Sequence, residues 1–241
     1  MDNSSPPSAI AAAEPRLRVG AEIVLGGFAV GALIGGLGLP NHALLLTAGG
    51  VAVVGVAILH GVSRSTLGGG FGWANRITLL RALLVAALLG CLLAPERRDI
   101  IAGLAVIAVL SDAVDGWLAR RLGVASEFGA RFDMEVDAAL ALVLSLMLVV
   151  LQIAGPWVLI VGAARYAFVA AGKILPALSR PLPPRGGRRV AAALVMVSLG
   201  AAALPFIALP LATALALAAT AITVTSFGID IALLLRREAR G

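Results

Sequence analysis

Charge is scarce in this 241-residue chain. Only 13% of its residues are charged, 60% are hydrophobic, and the mean hydropathy is +1.02. A soluble domain of this length has too little interior for so much apolar surface, which excludes a water-borne globule and makes lipid the solvent for most of the chain. Cysteine is nearly absent. Cys91 is the single one, so no disulfide framework and no cysteine-based zinc site forms within one chain. The start "MDNSSPPSAIAAAEPRLRVG" lacks the basic-then-apolar order of a cleaved signal peptide. It reads as a disordered cytoplasmic tail over 1–19, and the first apolar segment is expected to stay. The glycine-rich "TLGGGFG" lacks the Lys-Ser/Thr of a phosphate loop and reads as a linker. A net charge of +6 raises nucleic acid as a partner, but the basic residues fall between apolar runs rather than along one face. That pattern points to membrane orientation and anionic lipid headgroups, with no nucleic acid.

What the chain has instead is apolar runs long enough to cross a bilayer. They begin near Ala21, His42, Ile77, Ile100, Met134, Trp157, Val190 and Pro210. The pattern predicts an all-α integral membrane protein of about eight transmembrane helices. Placing both termini in the cytoplasm puts Arg16, Arg18, Arg64, Arg76, Arg120, Arg121 and Arg131 inside. Lys173, Arg180, Arg185, Arg188, Arg189, Arg236, Arg237 and Arg240 follow on the same side, and only Arg97 and Arg98, beside Glu96 and Asp99, fall outside. That asymmetry satisfies the positive-inside rule. Residues 20–62 read as an added hairpin, 63–237 as the core and 238–241 as a cytoplasmic tail. Gly27, Gly31 and Gly35 form a small-residue ridge on the first span, better explained by packing within the chain than by a dimer contact. His42 and His60 lie near span ends and read as interfacial rather than as ligands.

Between two of these spans lies "SDAVDGWLARRLGVASEFGARFDMEVDAAL", Ser111 to Leu140. Asp112, Asp115, Gly116 and Ala119 fall at i, i+3, i+4 and i+7 of one helix, hence on one face. Asp133 and Asp137 share a face of the next, with Gly129 at its start. With Arg120 and Arg131 as interface markers, helical rise sets Asp115 roughly 8 Å, Asp112 about 12 Å, Asp133 roughly 3 Å and Asp137 about 9 Å into the membrane. Two antiparallel helices would then bring four carboxylates to one shallow site. Uncompensated, each acid at mid-helix costs about 2.5–3.5 kcal/mol, less toward the interface. Oxygen ligands on facing helices suit Mg²⁺ or Mn²⁺, which would remove that cost. The plain alternative is a set of acids salt-bridged to Arg81, Arg120 and Arg131. It leaves the small residues unexplained: Gly116, Ala119 and Gly129 clear space beside the acids, and Arg120 offers a donor fork for phosphate. Metal, space and guanidinium together describe a diphosphate site near the membrane surface.

The same stretch fits D-x-x-D-G-x-x-A-R-x8-G-x-x-x-D-x-x-x-D and so resembles the CDP-alcohol phosphotransferase family. Asp112, Asp115, Gly116, Ala119, Arg120, Gly129, Asp133 and Asp137 fill every fixed position. Upstream, "ANRITLLR" is similar to the family's Pro-Asn-x-x-Thr-x-x-Arg segment at Asn75, Thr78 and Arg81, with Ala74 in place of the proline. The resemblance spans roughly Gly72 to Arg237 and implies a six-helix core, with the N-terminal hairpin outside it. It implies transfer of a phosphatidyl group from CDP-diacylglycerol to a soluble alcohol acceptor, with release of CMP, in phospholipid biosynthesis. The site would face the cytoplasm, in a multi-pass cell-membrane protein that forms a homodimer. By the same resemblance Asp112, Asp115, Asp133 and Asp137 would ligate two Mg²⁺ or Mn²⁺ ions, and Asp137 would act as general base. Gly116, Ala119, Arg120, Gly129, Asn75, Thr78 and Arg81 would receive the nucleotide and diphosphate.

For the acceptor, Arg165 within "VLIVGAARYAFVAAG" and Arg188 and Arg189 at the next span are candidates for a phosphate clamp, as needed for glycerol 3-phosphate or inositol phosphate. Asp230 is a further intramembrane acid and a partner for one of these arginines. "RPLPPRGGRR" reads as a basic loop stiffened by proline. Two other classes compete. An intramembrane prenyltransferase also uses acids, Mg²⁺ and a diphosphate, but keeps its acidic motifs far apart in sequence. A divalent-cation transporter places its acids near the midplane, often within an internal repeat, and no repeat is evident here. A non-catalytic relative is disfavoured because no motif acid is missing.

Overall fold

The structure is a computed structural model that describes residues 9–64, 72–122, 127–180 and 186–238, the side chains of 9–16, 61–64, 113–122, 127 and 238 excepted. Its described residues form eight α-helices, two short 3₁₀ turns and no strand. The helices are α1 (Ala9–Gly36), α2 (Asn41–Arg64), α3 (Trp73–Cys91), α4 (Arg98–Leu122), α5 (Glu127–Val150), α6 (Leu159–Ile174), α7 (Gly186–Ala202) and α8 (Leu209–Glu238). This all-helical result is what lipid demands, because helices satisfy their backbone polar groups within one segment. Among the described residues five stretches are long and apolar enough to span a bilayer: Leu17–Gly36, Asn41–His60, Trp73–Cys91, Pro156–Ile174 and Leu209–Arg237. The number of helices is the one expected. Over their described residues α5 carries Arg131, Asp133, Glu135 and Asp137 in its first half and α7 is only 17 residues long, which keeps both out of the span-like group. The stretch read as a tail, 1–19, is described only from residue 9 onward. Helix α1 begins at Ala9, where the alanine-rich "AIAAAE" has high helix propensity and needs no apolar run to start a helix.

The chain divides into two compact units, Met1–Ala94 with Leu110–Val136, and Pro95–Val109 with Asp137–Gly241. In the first, α3 is the core helix. Of the span Trp73–Cys91, 72% is buried, against 22% for the spans of α1 and α2, which leave broad apolar faces for lipid. The hairpin packs on α3 at positions without side chains. A Cβ on Gly50 of α2 would stand 3.0 Å from the Ala86 Cβ, and one on Gly90 of α3 would collide with the Thr47 hydroxyl and the Ala43 carbonyl. The ridge read from the sequence is only partly used: Gly27 faces Val51 of α2, whereas Gly31 and Gly35 have nothing within 4 Å.

In the second unit α6 and α7 both pack on α8. Helix α5 ends in a Schellman turn. Ile153 N–H donates to Leu148 C=O at 2.9 Å and Gln152 N–H to Val149 C=O at 3.0 Å, with Gln152 at φ 57°. Two side chains satisfy carbonyls just beyond it: Arg98 donates to Leu151 C=O at 3.3 Å and Thr213 of α8 to Ile153 C=O at 2.8 Å. These contacts fix the far end of the helix that carries Asp133 and Asp137.

Candidate active site

The site is built on α3, α4 and α5. Asp112 lies on α4, and Asp133 and Asp137 lie one turn apart on α5. One carboxylate oxygen from each of these three acids lies within 4.8 Å of the others. Around an octahedral Mg²⁺ or Mn²⁺ with bonds of about 2.1 Å, ligand oxygens stand about 3.0–4.2 Å apart. An all-oxygen set on two helices suits a hard divalent cation rather than a soft one. All three acids are part-buried, open enough for a ligand to approach.

Arg81 supplies the local positive charge. Its side chain is 0% exposed, and its Nη1 donates to Asp133 Oδ1 at 3.1 Å and lies 3.3 Å from Asp112 Oδ1. The sequence offered two roles for this arginine, diphosphate ligand and salt-bridge partner of the acids. Its contacts in the structure are ion pairs with these acids. Three acids and one guanidinium thus lie together, with the side chains of Asp115 and Arg120 outside the described residues.

The remaining expected residues fall out as follows. Asn75 and Thr78 are buried on α3, and the Thr78 hydroxyl donates to Ala74 C=O at 3.1 Å. Gly129 is half-buried and Arg131 exposed, both in the first turns of α5. Asp115, Gly116, Ala119 and Arg120 belong to the backbone of α4, but their side chains lie outside the described residues. The three arginines proposed for the acceptor have different surroundings. Arg165 is half-buried on α6 and Arg189 is exposed at the start of α7. Arg188 is engaged by Asp230 of α8 through a two-pronged pair, Nε to Oδ2 at 2.9 Å and Nη2 to Oδ1 at 3.1 Å. Asp230 is 5% exposed. Sequence reading named Asp230 as a partner for one of the arginines without saying which. The distance in sequence, 42 residues, hides such a pairing.

An all-helical membrane fold with three part-buried aspartates close enough together to share a cation places this chain among intramembrane proteins that handle charged groups. The family model for CDP-alcohol phosphatidyltransferase matches residues 71–225, well over half of the chain. The protein belongs to that family, whose members are transferases of substituted phosphate groups and use divalent metals. No curated protein and no solved structure gives a significant match to the chain.

Proposed function

We propose that this protein transfers a phosphatidyl group from CDP-diacylglycerol to the hydroxyl of a soluble alcohol, with release of CMP. The observation that carries the reading is the convergence of Asp112, Asp133 and Asp137 within the segment that the family model matches. Asp112, Asp133 and Asp137, with Asp115 by motif, would hold two Mg²⁺ or Mn²⁺ ions. When bound, those ions would neutralise the diphosphate and lower the cost of negative charge developing on it.

The chain's own residues do the rest. Asp137 takes the proton of the acceptor hydroxyl as its oxygen bonds to the phosphorus that bears the diacylglycerol. The bond from that phosphorus to the bridging oxygen breaks, and CMP leaves with the electron pair. Phosphoryl transfer depends mainly on positioning and charge, and a positioned base adds about 10²–10⁴-fold. Gly116, Ala119 and Gly129 would leave room for cytidine and ribose, Arg120 would grip the diphosphate, and Asn75 and Thr78 would line the same side. Arg165, Arg188 and Arg189 are the residues nearest in chemistry to an acceptor phosphate clamp, for glycerol 3-phosphate or inositol phosphate. Residues 63–237 act as the catalytic core and 20–62 as an accessory hairpin. The positive-inside pattern supports a cell-membrane protein with both ends and the site at the cytoplasmic face, and the family resemblance supports a homodimer.

The test is purified protein in nanodiscs with CDP-diacylglycerol, Mn²⁺ or Mg²⁺, and a panel of glycerol 3-phosphate, inositol phosphate, inositol and serine. CMP release with one acceptor supports the reading and names the alcohol. Pyrophosphate release from a prenyl diphosphate, or metal flux into vesicles without CMP, would replace it.

A further inference from the structure

Burying a guanidinium costs several kcal/mol unless charge partners meet it. Arg81 sits on α3, the most buried span, with none of its side chain exposed. Its partners come from two different helices. A single nitrogen, Nη1, serves Asp112 of α4 and Asp133 of α5 at 3.3 and 3.1 Å, through the Oδ1 of each. A carboxylate has two oxygens and about four lone-pair directions, so pairing with Arg81 leaves each acid with ligand capacity. A planar guanidinium also fixes the directions of its partners, which a lysine ammonium does not.

We infer that Arg81 is a built-in counter-cation and positioning residue. It holds Asp112 and Asp133 at ligand spacing and damps their repulsion before any metal arrives. The inference rests on the metal-site reading above and deepens it, because Arg81 and the metal then share one task. Wild-type protein keeps its site shaped without metal, whereas protein lacking Arg81 leans on the metal to hold the acids together. On this inference Arg81 serves the acids rather than the diphosphate of the donor.

The experiment uses full-length protein in nanodiscs, stripped with chelator. Wild type, Arg81→Lys, Arg81→Gln and the double variant Arg81→Gln/Asp133→Asn are melted with and without Mn²⁺. Mn²⁺ binding is read by electron paramagnetic resonance with no nucleotide present. Without metal, Arg81→Gln is expected to melt about 5 °C or more below wild type. Mn²⁺ should raise its Tm at least twice as far as it raises that of wild type, with Arg81→Lys between the two. The double variant should regain at least half of the metal-free loss, because the repelling acid has gone. At saturating Mn²⁺ the KM for CDP-diacylglycerol should stay within about twofold of wild type in Arg81→Lys.

Equal Mn²⁺ increments in all the single variants and wild type would overturn the inference. So would unchanged Mn²⁺ binding with a tenfold higher KM for the CDP-lipid, which would return Arg81 to the diphosphate. Should Arg81→Gln fail to fold, the double variant decides: recovery of a folded protein supports the inference and continued failure sinks it. Wild type that binds no Mn²⁺ at all would sink the metal-site reading, while the metal-free comparison of the single and double variants still judges Arg81.

Discussion

Among the described residues, two arginine–aspartate arrangements join helices of this protein, and they are built differently. Arg188 closes on Asp230 through a two-pronged pair, with two bonds of 2.9 and 3.1 Å. Arg81 is shared by Asp112 and Asp133, with Asp137 a third acid in the same group. A fork-to-fork pair uses both oxygens of its carboxylate and makes a stable helix-to-helix clasp between α7 and α8. A cluster of three acids is different. It is tolerable in a membrane only if something cationic completes it. The first arrangement therefore reads as architecture and the second as a site, although each uses the same two residue types.

The largest expected effect comes from breaking the three-acid site. Asp137→Asn should lower CMP release by about 10²–10⁴-fold while leaving the Kd for CDP-diacylglycerol within a few-fold. Removing divalent cation with chelator should silence wild type to a similar degree, and Mn²⁺ or Mg²⁺ should restore it. Asp230→Asn should not behave this way: its kcat should stay within about threefold of wild type. A collapse of kcat in Asp230→Asn, with turnover preserved in Asp137→Asn, would reverse the assignment of site and architecture.

The sequence made one of these two arrangements legible and the other only in part, naming Asp230 as a partner without choosing its arginine, for a physical reason. Asp112, Asp133 and Asp137 lie within 26 positions of one another, so helical period and one short turn suffice to bring them together. Arg81 is 52 residues from Asp133 and Arg188 is 42 from Asp230. Partners that far apart are chosen by which helices pack, and neither period nor composition reports that. The all-α membrane class was equally plain, because apolar runs of span length admit few other folds. Helix starts were less so: α1 runs to Ala9 and α3 to Trp73, well ahead of the apolar runs. Helix continues as long as backbone hydrogen bonds do, and polar turns at a membrane surface do not stop it. The ridge of Gly27, Gly31 and Gly35 shows the converse: spacing marked all three as packing positions, yet α2 reaches only the first.

A middle-sized effect tests the clasp. Removing one partner of a fully buried ion pair costs about 3–5 kcal/mol, chiefly because the other charge is stranded. Arg188 retains 35% exposure against 7% for Asp230, so water offsets part of that loss, and Arg188→Met should cost about 2 kcal/mol. The double variant Arg188→Met/Asp230→Leu should recover most of it, since an apolar pair of similar bulk is often neutral. Thermal melts of both in nanodiscs check the prediction. Acceptor kinetics sharpen it. If Arg188 also meets an acceptor phosphate, the double variant will melt like wild type yet show a KM for the phosphorylated acceptor raised tenfold or more. An unchanged KM leaves Arg188 purely in the clasp.

The smallest effect comes from a third pair, two-pronged like the clasp but exposed. Arg76 of α3 donates to Glu22 of α1 from Nη2 at 2.7 Å and from Nε at 3.3 Å, and its guanidinium carbon stands 4.9 Å from the centre of the Trp73 ring. The two side chains are 43% and 30% exposed, so the pair contributes about 0.5 kcal/mol and Glu22→Gln should lower Tm by only about 1–2 °C. Its position gives it more interest than its energy. Glu22 lies in the hairpin, outside the residues 71–225 that the family model matches, and Arg76 sits five residues before Arg81 on the same helix. If the hairpin only braces α3, the exchanged pair Glu22→Arg/Arg76→Glu should restore both Tm and turnover, and Glu22→Gln should hold turnover within twofold. A tenfold loss of turnover at unchanged Tm would mean that the hairpin acts on the site through α3. The division between architecture and site, sharp for the two arginine–aspartate arrangements, would then not hold at the surface.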